Sequence, residues 1–218
     1  MKKSVATLAV AAALAAPLAV SAPAHAAEGG QRADNPGLVS LVDSEGRHQC
    51  TAVLVNESWA LTWSDTARCG SSSTVRDASG HTTGVVERRY NVARDGVTHT
   101  DPTKSQAMLV RLAQPLAGTR VAQLSTEAPR AGEKLTIAAF NDRAATSVGH
   151  SPVTIEGHHG WISWFDAPSA MTLEHSDAGA ALLRGDKVVG FLGLAQHDGG
   201  DAEDIANVSS WVDSVVHS

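Results

Sequence analysis

Short apolar runs separated by turn residues recur along most of the chain. "GLVSLVD" (37–43), "CTAVLV" (50–55), "WALTW" (59–63), "GVVERRY" (84–90) and "AMLVRL" (107–112) read as strands. So do "KLTIAAF" (134–140), "SPVTIEG" (151–157), "AALLR" (180–184) and "KVVGFLGLA" (187–195). Between them stand "DSEG", "CGSSS", "DASG", "RAGE" and "LRGDK", rich in residues that turn the backbone or bond to it locally. Many short strands at this spacing predict an all-β sandwich or barrel. One segment differs. In "DIANVSSWVDSVV", Ile205, Val208, Trp211, Val212 and Val215 recur every three or four residues, which is one face of an amphipathic helix. The expected fold is therefore all-β, closed by one C-terminal α-helix. There is no internal repeat or low-complexity tract.

The first residues, "MKKSVATLAVAAALAAPLAVSAPAHA", join a positive start to an apolar run and end in an A-x-A pattern at Ala24-His25-Ala26. That is the pattern of a secretory signal peptide, with cleavage after Ala26. A membrane anchor is the weaker reading, because the run is short and is interrupted by Pro17 and Pro23. Removal of residues 1–26 leaves 192 residues and takes the net charge from −6 to −8. This size suits one domain or two small packed barrels. An acidic chain has no electrostatic attraction for nucleic acid or anionic lipid. No later stretch is long enough to span a bilayer, so the expectation is a secreted, extracellular monomer with no membrane span. In an exported protein, Cys50 and Cys69 most simply form one disulfide. A zinc site is the weaker option, since no His stands at finger-like spacing from them. No cofactor and no metal are expected.

Four blocks in order resemble the trypsin/chymotrypsin family of serine proteases. "NPGLVSLVDSEGRHQCTAVLVNESWALT" (35–62) is similar to that family's first hairpins, and "AMLVRLAQPL" (107–116) to the strand after its catalytic aspartate. "SDAGAALLRGDKVVGFLG" (176–193) resembles the G-D-S-G-G-P loop and the next strand pair, and "NVSSWVDSVV" (207–216) the terminal helix. The resemblance implies two antiparallel six-stranded β-barrels, roughly 27–115 and 116–204, with a helix over 205–217 and a cleft between the barrels.

The family's chemistry needs a nucleophilic serine, a histidine base and an orienting aspartate, with two backbone N–H groups for the oxyanion. Carried over by position, the nucleophile falls on Ala178, whose methyl cannot form an acyl-enzyme. The aspartate falls on Gln106. The histidine falls on Asp65 counting from Cys50, or on Arg68 counting back from Cys69. The oxyanion donors fall on Ser176 and Ala178, and the base of the specificity pocket near Thr172. Asp177 matches the residue that receives the freed N-terminus in active members, so Ala27 is its expected partner after signal cleavage. A bond from Asp177 to local backbone N–H groups is the competing reading. The resemblance thus implies a serine protease homologue without its triad, with an extended peptide or protein as the partner in the cleft.

Two further readings remain open. One is an enzyme with weak or relocated catalysis, signalled by a His within reach of a Ser or Thr in the cleft, with His99 and His175 first in line and Ser176 a substitute nucleophile. The other is an exported structural module, signalled by a cleft filled with the protein's own side chains. His158 and His159 read as surface histidines rather than ligands. Trp59 and Trp63 read as barrel packing, Trp161 and Trp164 as lining a groove or equally as core or interface packing, and Asp65–Arg68 as an ion pair.

Overall fold

The computed structural model describes residues 28–65, 67–91, 105–160, 162–196 and 199–218. Residues 1–26, read as a signal peptide, lie outside these, as do Ala27, His99 and Trp161. In chain order the strands are β1 Glu28–Gly29, β2 Gln31–Arg32, β3 Leu38–Val42, β4 His48–Asn56, β5 Trp59–Trp63, β6 Thr74–Arg76, β7 Thr82–Tyr90 and β8 Ala107–Leu112. They continue with β9 Gln123–Leu124, β10 Lys134–Phe140, β11 Val148–His159, β12 Ile162–Asp166, β13 Met171–Thr172, β14 Ala181–Arg184, β15 Lys187–Gln196 and β16 Gly199–Asp204. Short 3-10 turns occupy Cys69–Ser71 and His175–Asp177, and the helix α1 spans Ile205–Val216.

Strands β3, β4, β5, β8, β7 and β6 pair in that order and close into a barrel through β6 and β3. Strands β10, β14, β15, β16, β12 and β11 form a second closed barrel through the pairing of β10 with β11, and β2 and β9 attach at its margins. The expected double barrel with one terminal helix is the observed fold.

The apolar runs explain the arrangement. Strands β3 and β5 are buried at every position, one face filling the first barrel and the other covered from outside. In β10 the alternation separates two cores. Leu135, Ile137 and Ala139 point into the second barrel, while Ala138 and Phe140 join the cluster that fills the first barrel and the seam between the two. Ile205, Val208 and Val212 of α1 are buried in that same larger cluster. A buried side chain of this size contributes about 1.5–3 kcal/mol relative to exposure, so α1 adds to the packing of that cluster.

Cys50 on β4 and Cys69 in the first 3-10 turn form the expected disulfide, with Cα atoms 5.3 Å apart and 19 positions between them. It ties the connection after β5 to the first barrel. Replacing both cysteines with alanine is expected to lower stability by about 2–4 kcal/mol, read as a shift of the urea midpoint; an unchanged midpoint would show that the connection is held by packing alone.

Candidate functional site

The residues matched to the catalytic positions lie before β14, before β8 and after β5. The turn His175–Asp177 docks on β4, where the Ala178 carbonyl accepts the Thr51 N–H at 2.9 Å. Gly179 follows with φ +90°, and a Cβ there would stand 1.9 Å from the Thr51 carbonyl oxygen. No side chain fits, so glycine is required for the loop to reach β4. Ala178 is 6% exposed, which leaves its methyl nearly sealed. Its N–H is directed at the His175 carbonyl, 3.4 Å away, instead of into an open oxyanion site. Asp177 is fully buried and accepts the Glu174 N–H at 2.6 Å, and the Glu174 side chain caps the Asp177 N–H in return. The bond to local backbone is therefore present. Ala27 lies outside the described residues.

Gln106 immediately precedes β8, and its carbonyl accepts the Ser64 N–H at 2.8 Å. That pairing sets Asp65 beside the start of β8. Arg68 lies further on, immediately before the disulfide. The Asp65 carboxylate accepts the backbone N–H groups of Ala67 and Arg68 at 2.9 and 3.3 Å. It caps a turn, and no bond to the Arg68 guanidinium occurs among the described residues.

Trp63 packs between the two barrels. Trp63, 4% exposed, lies against β15, where a Cβ on Gly193 would come within 2.6 Å of its ring. The same indole meets Phe191 edge-on at 6.5 Å. Trp59 and Trp63 both pack in the core, as expected; Arg111 sits over Trp59 at 5.9 Å. Two cavities border the turn that carries His175 and Ser176. One, of about 540 Å³, is lined by His48, Gln49, Arg143, Ala144 and Ser176. The other, of about 350 Å³, is lined by Met171, Thr172, Glu174, His175 and Gln196. Thr172 is exposed and pairs with Glu28 of β1.

Three Ser–His contacts test the idea of relocated catalysis. In the first, Ser40 Oγ lies 2.7 Å from His48 Nδ1. Ser40 is 0% exposed, so no substrate carbonyl can reach it. In the second, His158 Nδ1 lies 3.1 Å from Ser163 Oγ and 3.4 Å from Asp204 Oδ2, while the Ser163 hydroxyl donates to Asp204 Oδ1 at 2.5 Å. In the third, His81 Nδ1 lies 2.8 Å from Ser79 Oγ and 3.2 Å from Asp77 Oδ2. A relay uses one ring nitrogen for the acid and the other for the hydroxyl. In both clusters the acid and the hydroxyl meet the same nitrogen, so neither can relay a proton. His175 is exposed on its turn.

The sequence did not point to Glu203 and Asp204. Both are buried at the end of β16. Glu203 accepts the Gln106 N–H at 2.9 Å and lies 3.4 Å from the Asn207 amide, and the Ser105 hydroxyl also bonds to it. Asp204 holds Ser163 and His158, so His158 is a half-buried structural partner and not a plain surface residue. Their flanking glycines and charges read as a loop, and only the distant partners Gln106 and Ser163 reveal the role. Among the described residues, no group of three or more His, Cys, Asp or Glu is placed to hold a metal ion. No helix among them is long and apolar enough to cross a membrane.

Comparison with known proteins agrees with this geometry. A family model described as Trypsin matches residues 25–161, and the chain belongs to that family. No curated protein matches it. Solved structures share the fold at low identity. The scabies mite inactivated protease paralogue S-I1 is 14% identical with a TM-score of 0.70, covering 87% of this chain and 99% of its own. Human heparin binding protein is 16% identical with a TM-score of 0.67, over 87% and 96%. Neuropsin of mouse brain is 17% identical with a TM-score of 0.69, over 86% and 98%. The protein is a trypsin-fold homologue without a working catalytic relay among its described residues.

Burial raises Glu203 to about 7 and also raises Asp204. Their contribution to stability is complete below their ordinary values and is lost as the pH rises through about 7. His48 acts in the opposite sense. Desolvation lowers it to about 4, so its contribution is complete above 6.5 and is lost as the pH falls through about 4. Glu203→Gln is therefore expected to gain ~2–3 kcal/mol on the wild type between about pH 5 and about pH 8. Urea unfolding at the two pH values measures this, and a difference independent of pH would show that Glu203 does not titrate in this range.

Proposed function

We propose that the protein is an exported, non-catalytic trypsin homologue that holds an extended peptide in the groove between its barrels. In this reading Ala178 stands at the nucleophile position, Gln106 at the aspartate position and Asp65 at the histidine position, the last favoured by the Ser64–Gln106 pairing. The observation that carries the proposal is the pair of cavities on either side of the turn His175–Asp177, opened by Ser176 on one side and by Glu174 and His175 on the other. A chain crossing that turn meets the backbone of two barrels, side-chain room at both ends and a methyl where cleavage chemistry would start. Export and an extracellular setting follow from the leading residues 1–26, and the fold is one shared with proteases and with inactivated paralogues. An acidic net charge argues against a polyanionic partner.

A peptide library displayed against the purified protein tests the reading. Enriched sequences should lose at least about ten-fold in affinity when Ala144→Trp fills the larger cavity. Enrichment of peptides indifferent to that change would remove the groove as their site. A fluorophosphonate probe should label neither the wild type nor Ala178→Ser, since an added hydroxyl there has no imidazole to take its proton. Labelling of the wild type would restore an enzymatic reading.

The same reading pairs the α-amino group of Ala27 with Asp177. Strand β1 supports it by running antiparallel to β13, five positions before Asp177. Acetylation of that amino group should lower Tm in the wild type but not in Asp177→Asn; equal effects in both would show that Asp177 relies on Glu174 and its other neighbours.

A further inference from the structure

The larger of the two cavities has an uneven lining. The turn from β3 to β4 supplies Gly46 and Arg47, and the loop from β10 to β11 supplies Arg143 and Ala144. His48 and Gln49 at the start of β4 and Ser176 of the 3-10 turn complete it. Two arginines line the cavity, and no carboxylate does so among the described residues.

The nearby carboxylates are engaged elsewhere. Asp43 accepts the Glu45 and Arg47 N–H groups, each at 2.9 Å, the Arg47 Nε at 2.8 Å and the Gln49 amide at 3.0 Å. Arg47 also pairs with Glu45 at 3.1 Å, so its charge is matched. Asp142 accepts the Thr146 and Ser147 N–H groups at 3.0 and 2.8 Å and their hydroxyls at 3.1 and 2.6 Å. Ala145 is buried in the larger core cluster and pins this loop. Arg143, between Asp142 and Ala145, is exposed and has no hydrogen bond or ion pair among the described residues. The Ser176 hydroxyl likewise bonds to no described residue. Beside the β3–β4 turn, Arg76 donates to the Gly46 carbonyl at 3.0 Å, while its Nε and Nη2 are buried without a partner. Burial lowers His48 to about 4, so at neutral pH the positive charge here belongs to guanidinium groups alone. The unmet polar capacity around this cavity is thus mainly of donors. The smaller cavity differs: Glu174 lines it, and no Lys or Arg does among the described residues.

We propose that the larger cavity selects an acidic residue, receiving the carboxylate of an aspartate or glutamate side chain in the bound peptide. The Arg143 guanidinium forms a forked pair with that carboxylate, and the Ser176 hydroxyl donates to it. A lysine in the same place would bring its charge against Arg143 and find no carboxylate lining the cavity. The charge difference between the two cavities sets the register of the peptide, with its acidic residue at the larger cavity and none at Glu174. A single carboxylate also escapes most of the repulsion that a net charge of −6 imposes on a polyanion. The inference rests on the groove reading above and names the class of peptide. A C-terminal carboxylate carries the same chemistry, and the test separates the two sources.

Biotinylated eleven-residue peptide pools are titrated against the purified protein by bio-layer interferometry. Each pool is C-terminally amidated, randomised among Ala, Ser, Val and Leu, and carries Glu, Gln or Lys at its sixth position. A fourth pool carries Gln there and a free C-terminal carboxylate. The Glu pool should bind at least about five-fold more tightly than the amidated Gln pool, with an advantage that shrinks as salt is raised. Arg143→Gln should remove most of that advantage, and Arg143→Glu should reverse it in favour of the Lys pool. Ser176→Ala should weaken the Glu pool by about three-fold. Unchanged Tm values show that the variants fold. Equal binding of the Glu and Gln pools that is lost in Ala144→Trp would overturn this inference and leave the groove reading standing. Binding of no pool, or binding that survives Ala144→Trp, would remove both. Tightest binding of the free-carboxylate pool would put a chain terminus in the cavity and overturn the side-chain assignment. A Glu preference indifferent to both Arg143 changes would overturn it as well.

Discussion

The contact between the Ala178–Gly179 backbone and β4 organises the molecule. The Thr51 N–H holds the Ala178 carbonyl, the Thr62 hydroxyl bonds to the Thr51 carbonyl at 2.6 Å, and Gly179 leaves no room for a Cβ against either. Beyond the loop, the Gly179 N–H donates to the Leu192 carbonyl, and Leu192 N–H donates back to Ala180. One short segment thus bonds to β4 in the first barrel and β15 in the second. Any residue near it inherits its position from this tie, including Ser176 at the larger cavity and His175 at the smaller. The need for a loop of this shape persists even where the side chain it presents is only a methyl.

The buried acids follow from the same closure. Strand β16 ends deep in the seam, where Glu203 meets the start of β8 and the first turn of α1, while Asp204 meets β12 and the β11 histidine. A carboxylate in such a place is costly when charged, so it retains its proton to a higher pH. Each oxygen found a donor, which keeps the cost tolerable. The acids act as polar rivets between elements distant in sequence: 97 positions separate Gln106 from Glu203 and 41 separate Ser163 from Asp204.

The parts of the fold with strong apolar runs were legible in the sequence. "AMLVRL" and "WALTW" became β8 and β5 as read. "GGDAED" gave no such sign and became β16, because its strand character comes from pairing on both sides with β12 and β15. "ISWFD" likewise hid β12, since a polar residue, Ser163, is buried there and bonds to Asp204. At the site, Ala178 and Asp177 could be read from local context. Trp63 could be read as packing, but not as packing between the two barrels, because its contact with Gly193 is long-range.

On the proposed assignment of Ala178, Asp65 and Gln106, the missing hydroxyl is one of several obstacles to catalysis. A hydroxyl at Ala178 would enter a nearly sealed position whose N–H already faces the His175 carbonyl. An imidazole at Asp65 would have to give up the turn that the carboxylate caps through Ala67 and Arg68. A carboxylate at Gln106 would lie beside buried Glu203, and two like charges there cannot both ionise cheaply. The indole of Trp63 packs against Gly193 between the two barrels. What stays open lies to either side of the turn His175–Asp177.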